Sequence, residues 1–118
     1  MPGESEVRFP TARGAGEVRG ILHEPSVAAN LAIVLAHGRS GDMRNRLLRH
    51  LAAAACDAGW LALRLNFRCV DAKRTASRDL SQKADDLLGA VRFLRRRMAM
   101  GPIFVAGASM GARVCARG

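Results

Sequence analysis

Residues 103–111 have the sequence IFVAGASMG, which combines an apolar run with a turn rich in small residues. Its apolar first part, Ile103 to Ala106, predicts a short strand buried in a sheet. The G-x-S-x-G pattern that follows, from Gly107 to Gly111, is typical of a sharp turn between a strand and a helix. Small residues on either side of the serine let the strand and the helix approach each other. A serine on such a turn holds its hydroxyl clear of the sheet, which makes Ser109 a candidate nucleophile.

Two more apolar runs upstream predict neighbouring strands, at residues 31–36 (LAIVLA) and 61–67 (LALRLNF). The first is a continuous apolar run, which is typical of a strand that is buried on both faces of a parallel sheet, and the second alternates along its face. Apolar residues recur at helical spacing across 43–55 and 80–98, and a last helix is predicted over 111–118. Strands that alternate with helices indicate right-handed crossovers and a parallel sheet with helices on both faces.

The first thirty residues predict an antiparallel hairpin, with strands at 6–9 and 18–23 and a glycine-containing turn at 11–16. A chain of 118 residues allows one domain at most. The predicted fold class is therefore α/β. The hairpin occupies residues 1–30 and leads into a βαβαβα core over residues 31–118.

The second candidate motif is HGRSGD, residues 37–42, which directly follows the first of the core strands. Sites in parallel sheets form at the carboxyl ends of the strands, so this loop and the Ser109 turn are expected at the same edge. The glycines Gly38 and Gly41 let the backbone approach a substrate carbonyl closely. His37 is expected to be a structural residue of the loop rather than a general base.

The same two loops supply candidate donors for an oxyanion hole. A carbonyl under attack by a serine develops negative charge on its oxygen, which backbone N–H groups stabilise. We expect one N–H group from Met110, the residue after Ser109, and one from Arg39, with Ser40 as the alternative donor. This chemistry requires no metal ion or cofactor, and none is expected.

The remaining polar residues do not predict a second site. His23 and His50 are expected at the surface, and the carboxylate pair Asp85–Asp86 is expected on the solvated face of an amphipathic helix. The cysteines form no C-x-x-C pair, so they are expected to be reduced thiols. They are Cys56, Cys69 and Cys115.

Composition narrows the classes of partner. The net charge is +9, but the arginines are scattered along the chain and aromatic residues make up only 4% of it. Single-stranded nucleic acids need aromatic stacking platforms, so the composition favours a solvated basic surface over a nucleic-acid site. The longest apolar runs fall short of the roughly 20 residues of a membrane span. The N-terminus lacks a secretory signal, so a cytoplasmic protein without membrane association is expected.

Three stretches together resemble a known family. They are LAHGRSGDM at 35–43, ALRLNF at 62–67 and ASMGAR at 108–113. They resemble the α/β-hydrolase-like domain of the testis-expressed and non-specific-lethal-complex subunit family and its bacterial members, with the dienelactone-hydrolase-like group next closest. The resemblance covers the chain from about Val7 onward. It implies an eight-stranded sheet, a Ser-Asp-His triad with Ser109 as nucleophile, and hydrolysis of esters or related acyl compounds.

The triad acid and the triad histidine follow the nucleophile in the chain order of this fold, so no residue up to Gly118 is assigned to either role. We therefore expect the N-terminal half of an α/β-hydrolase fold, truncated after the nucleophile elbow and inactive alone. The exposed edge of the strand at 103–106 also predicts self-association. Three functions stay open: a serine esterase or acyl hydrolase for a small ester-like substrate, a non-catalytic scaffold or complex subunit, and a basic nucleic-acid-binding module.

Overall fold

The computed structural model describes residues 3–13, 16–37, 42–67, 80–98 and 101–107. Within these ranges, five strands form one sheet in the order β1-β2-β4-β3-β5. The strands and helices are β1 (Gly3–Pro10), β2 (Glu17–Glu24), β3 (Ala32–Ala36), α1 (Arg46–Asp57), β4 (Leu61–Asn66), α2 (Leu80–Arg97) and β5 (Ile103–Gly107). The last predicted helix, at 111–118, lies outside the described residues.

The predicted hairpin is confirmed, and both of its strands are longer than the sequence indicates. β1 and β2 pair antiparallel over eight residues each, from Gly3 opposite Glu24 to Pro10 opposite Glu17. Most side chains of β1 are exposed. A strand at the edge of a sheet pairs through its backbone, so its polar first residues extend the pairing without an apolar pattern to indicate it.

The parallel part of the sheet is also confirmed. β3 pairs parallel with β4 on one side and with β5 on the other. β2 joins the hairpin to this part by pairing antiparallel with β4. The three core strands lie within about one residue of their predicted bounds, because each is a mainly apolar run that ends at a polar residue or a glycine.

The helices cover opposite faces of the sheet. Val34 and Leu63 belong to the core on the α2 face. Their neighbours along the strands, Leu35 and Ala62, belong to a smaller core on the α1 face. Alternate residues of a strand point to opposite faces, so a strand covered on both sides carries apolar residues at nearly every position.

Only part of the apolar stripe predicted for helix α1 faces the sheet. That stripe consists of Met43, Leu47, Leu48, Leu51 and Ala55. Leu48 and Ala55 are buried, together with Ala52, whereas Leu47 and Leu51 are 56% and 44% exposed. The helix is set by its N-cap: the side chain of Asn45 accepts hydrogen bonds from two backbone N–H groups of the first turn. Met43, also assigned to the stripe, precedes the helix.

The expectation of a solvated carboxylate pair in α2 is wrong. Asp85 and Asp86 are both buried, and so is Lys83. The turn after β1 covers this part of the helix, where the N–H of Ala12 donates to the carbonyl oxygen of Asp85 at 3.4 Å. Apolar periodicity along a helix cannot show that a distant turn lies over its polar side.

No helix in the described ranges is long and apolar enough to cross a membrane. The same part of the chain contains no group of three or more histidine, cysteine or acidic side chains placed to hold a metal ion.

Candidate active site at the carboxyl ends of β3 and β5

The two candidate motifs begin side by side. β3 and β5 are parallel neighbours, paired from Ala32 opposite Ile103 to Ala36 opposite Gly107. His37 follows the first of these strands directly, and the turn that carries the serine follows the second. The structure thus brings the starts of both loops to one level of the same sheet edge, where parallel α/β sheets form their sites.

Most of the predicted site residues fall on segments that the structure does not describe. Of the predicted set, His37 and Gly107 are described. The others lie outside the described residues: Gly38, Arg39, Ser40, Gly41, Ser109, Met110 and Gly111.

His37 is buried where its loop begins. Its Nε2 accepts a 3.1 Å hydrogen bond from the backbone N–H of Phe67. The two rings are in edge contact, with centroids 4.9 Å apart. A nitrogen that accepts from a backbone N–H cannot at the same time accept a proton from a nucleophile. In this arrangement His37 fixes the start of the loop to the end of β4.

The end of the same loop is held at Met43, through both of its backbone polar groups. The N–H of Met43 donates to Oδ1 of Asn66 at 2.7 Å. Its carbonyl oxygen accepts from Nη1 of Arg64 at 2.6 Å. All three residues are buried. Residues 64–67 of the chain therefore hold both ends of the loop that starts at His37.

Sequence reasoning missed this function of Arg64 and Asn66, although the sequence contains a signal for it. Every residue of β4 is buried. Two polar residues at i and i+2 in an otherwise apolar strand share one face, and buried polar groups need hydrogen-bond partners. The pattern R-x-N in such a strand therefore predicts a polar cluster on that face.

Arg64 continues the cluster toward the hairpin. Its Nε donates to Nε2 of His23 at 3.1 Å. Its Nη2 lies 3.7 Å from Oε1 of Glu4. The guanidinium thus links the loop anchor at Met43 to the first strand of the chain.

The expectation that His23 lies at the surface is wrong. Its side chain is only 8% exposed, because β2 lies inside the sheet between β1 and β4. Burial lowers the pKa of His23, the charge of Arg64 lowers it further, and Glu4 opposes this shift. A neutral imidazole can accept the hydrogen bond from Arg64, so the shift agrees with the geometry.

Comparison with known proteins supports the fold. Residues 29–118 match the family model described as "Alpha/beta hydrolase domain". A comparison with curated proteins finds no match.

Several solved structures are similar to this chain. An α/β serine hydrolase homologue from Coxiella burnetii has a TM-score of 0.79 at 21% identity, covering 96% of this chain and 55% of that one. A dienelactone hydrolase from Anabaena variabilis has a TM-score of 0.79 at 20% identity, covering 97% and 55%. The esterase Pf2001 from Pyrococcus furiosus has a TM-score of 0.80 at 19% identity, covering 99% and 47%.

The chain therefore spans about half the length of the structures it matches. At these identities the likeness shows the fold alone. The finer resemblance to the testis-expressed and non-specific-lethal-complex subunit family stays a prediction. The family match covers most of the chain, and the sheet order, the crossovers and the paired strand ends agree with it. The chain belongs to the α/β hydrolase domain family.

Proposed function

We propose that the chain forms the nucleophile-bearing half of a serine hydrolase that cleaves an ester or related acyl bond of a small molecule. The observation that carries the proposal is the register of β3 and β5, in which Ala36 lies opposite Gly107. Because of this register, the serine turn and the H-G-x-S-G loop leave the sheet together. Both segments must meet at the substrate carbonyl, because the serine turn supplies the nucleophile and the loop supplies a donor to the oxyanion.

In the proposed reaction, Oγ of Ser109 attacks the carbonyl carbon of the substrate while a general base takes its proton. The negative charge on the carbonyl oxygen is stabilised by the N–H groups of Met110 and Arg39, with Ser40 as the alternative donor. The tetrahedral intermediate expels the alcohol, which receives the proton. Water then attacks the acyl-serine in the same manner, releasing the acid and restoring the serine hydroxyl.

The described residues contribute by holding the second loop in place. An oxyanion hole is effective when its donors are fixed before the charge develops. The hydrogen bonds from Phe67 to His37 and between Met43 and the side chains of Asn66 and Arg64 tie both ends of the loop to β4.

The general base of such a triad is a histidine, and the chain has three candidates. His37 accepts a hydrogen bond from the N–H of Phe67, and His23 accepts one from Arg64. His50 belongs to α1, where it lines a cavity together with Gly3 and Glu4 of β1. We therefore infer that the triad histidine is not among these residues and that the 118-residue polypeptide alone has no triad-dependent turnover.

The test is labelling by a fluorophosphonate probe, which reacts with activated serines. We expect rapid, stoichiometric labelling once the chain is combined with a C-terminal half of the fold that supplies the acid and the histidine, and complete loss of labelling in Ser109→Ala. We expect very slow labelling of the 118-residue polypeptide. Rapid labelling of that polypeptide would show that its own residues supply the base. A folded protein completed in this way that stays unlabelled would overturn the hydrolase proposal in favour of a non-catalytic scaffold.

A further inference from the structure

A cavity of about 490 Å³ opens on the α1 face of the sheet, between this helix and the first residues of β1. None of its lining residues belongs to β3 or β5, and the proposed hydrolysis places no substrate in it. Its size falls within the range of sites that bind small molecules. Its chemistry is set by three arginines: Arg46 and Arg49 on α1, and Arg64 on β4.

The cavity has an excess of positive charge. Two acids, Glu4 and Asp57, also line it, so the arginines outnumber the carboxylates even with its histidines neutral. In the part of the chain that the structure describes, Arg46 and Arg49 form no ion pair with an acid. Their guanidinium groups are available to an anion that enters the cavity.

Arg64 adds a buried charge at the inner wall. Its side chain is 3% exposed, and its Nη2 lies 3.7 Å from a carboxylate oxygen of Glu4, whose own side chain is 59% exposed. A buried guanidinium needs a close counter-charge, and a solvated carboxylate at this distance supplies only part of one. Glu4 thus occupies the position that an anionic ligand would compete for.

We propose that this cavity binds a small organic phosphate, with the phosphate group between Arg46, Arg49 and the Nη2 of Arg64. Guanidinium groups match the geometry of phosphate oxygens, and several of them suit a dianion. Ala53 and Cys56 line the same cavity and offer an apolar wall to the organic part of the ligand. The proposal concerns binding, and it stands independently of the proposed hydrolysis.

The experiment is calorimetric titration of the full chain with glycerol phosphate, with inorganic phosphate and with neutral glycerol. We expect glycerol phosphate to bind more tightly than inorganic phosphate, and glycerol not to bind. Arg49→Gln should weaken glycerol phosphate binding about five- to tenfold, since it removes a charge-assisted contact. Glu4→Gln should strengthen it, because the competing carboxylate is gone while its shape is kept.

The matched control is Arg96→Gln, which removes the same charge from an exposed position of α2, on the opposite face of the sheet. It should change the affinity less than twofold. Equal weakening by Arg49→Gln and Arg96→Gln would reduce the effect to net charge and overturn the site. Equal affinity for inorganic phosphate and glycerol phosphate would show that the organic part of the ligand is not recognised and would overturn the proposal of an organic phosphate. Unchanged or weaker binding by a folded Glu4→Gln variant, verified by thermal unfolding, would contradict the assigned position.

Discussion

The side-chain oxygen of Asn66 lies 2.7 Å from the backbone nitrogen of Met43, and through this bond the end of β4 holds the end of the H-G-x-S-G loop. Both residues are buried. Water is therefore excluded, and without Asn66 it cannot replace the acceptor of the Met43 N–H.

Replacing Asn66 with leucine keeps the side chain's approximate size and leaves the N–H of Met43 buried without an acceptor. The expected cost is about 1–3 kcal/mol in the free energy of unfolding. Urea denaturation monitored by circular dichroism measures it. The same substitution at exposed Asn30 is the control and should change stability little. If the Asn66→Leu variant is as stable as the Asn30→Leu control, the bond is unimportant.

The pKa of His23 predicts a pH dependence of stability. Burial lowers this pKa in the folded protein, so the unfolded chain takes up a proton first as the pH falls. The stabilisation is present above the ordinary histidine pKa of about 6.5 and is lost as the pH falls toward the lower folded value. We expect the free energy of unfolding to decrease between pH 7.5 and pH 5.5. The variant His23→Gln, compared by chemical denaturation at both pH values, should show a smaller decrease. An identical decrease in both proteins would contradict the assignment.

Replacing Gly89 of α2 with alanine is expected to destabilise the protein, although alanine is the better helix former. Alanine in a helix is about 1 kcal/mol more favourable than glycine. A Cβ atom at this position, however, would lie 2.5 Å from the carbonyl oxygen of Pro10, where the turn after β1 packs on the helix. Gly89→Ala should therefore lower the melting temperature, whereas alanine at exposed Arg96 should leave it nearly unchanged. A higher melting temperature for Gly89→Ala would mean that the helix and the turn can separate without cost.

The edge strand β5 predicts self-association. Within the described residues β5 pairs with β3 alone, and the side chain of Phe104 is 52% exposed. An apolar strand edge pairs readily with another chain, and a lysine on it opposes such pairing. Phe104→Lys should shift the polypeptide toward the monomer in light scattering coupled to size exclusion. Leu88→Lys, an exposed apolar position of α2, is the control. A similar shift in both variants would indicate a general effect of charge.

The core of the fold was predictable because its signals are local. β3, β4 and β5 are apolar runs, and the glycines after two of them mark the turns. The polar residues were misjudged where their partners are remote in sequence. Asp85 is buried under the turn at Ala12, and His23 is buried beside Arg64. A single sequence shows which residues are polar but not which distant segment covers them.

The candidate site divides in the same way. Ser109 and Arg39 were predicted from motifs that each follow a recognisable strand, and their roles stay predictions because both lie outside the described residues. The supports of the loop were not predicted, since Arg64 and Asn66 belong to another strand and act through backbone atoms of Met43. Such contacts leave a trace only as polar residues in a strand that is otherwise apolar.

The register between β3 and β5 also bears on how the gene can change length. Insertions in the connections between Ala36 and Ile103 leave the two strand ends opposite each other. One extra residue inside either strand would move one turn by about 3.3 Å relative to the other. It would also exchange the two faces for every side chain on one side of the insertion. Homologous genes should therefore differ widely in the spacing between the two motifs, while the lengths of the two strands that lead into them stay fixed.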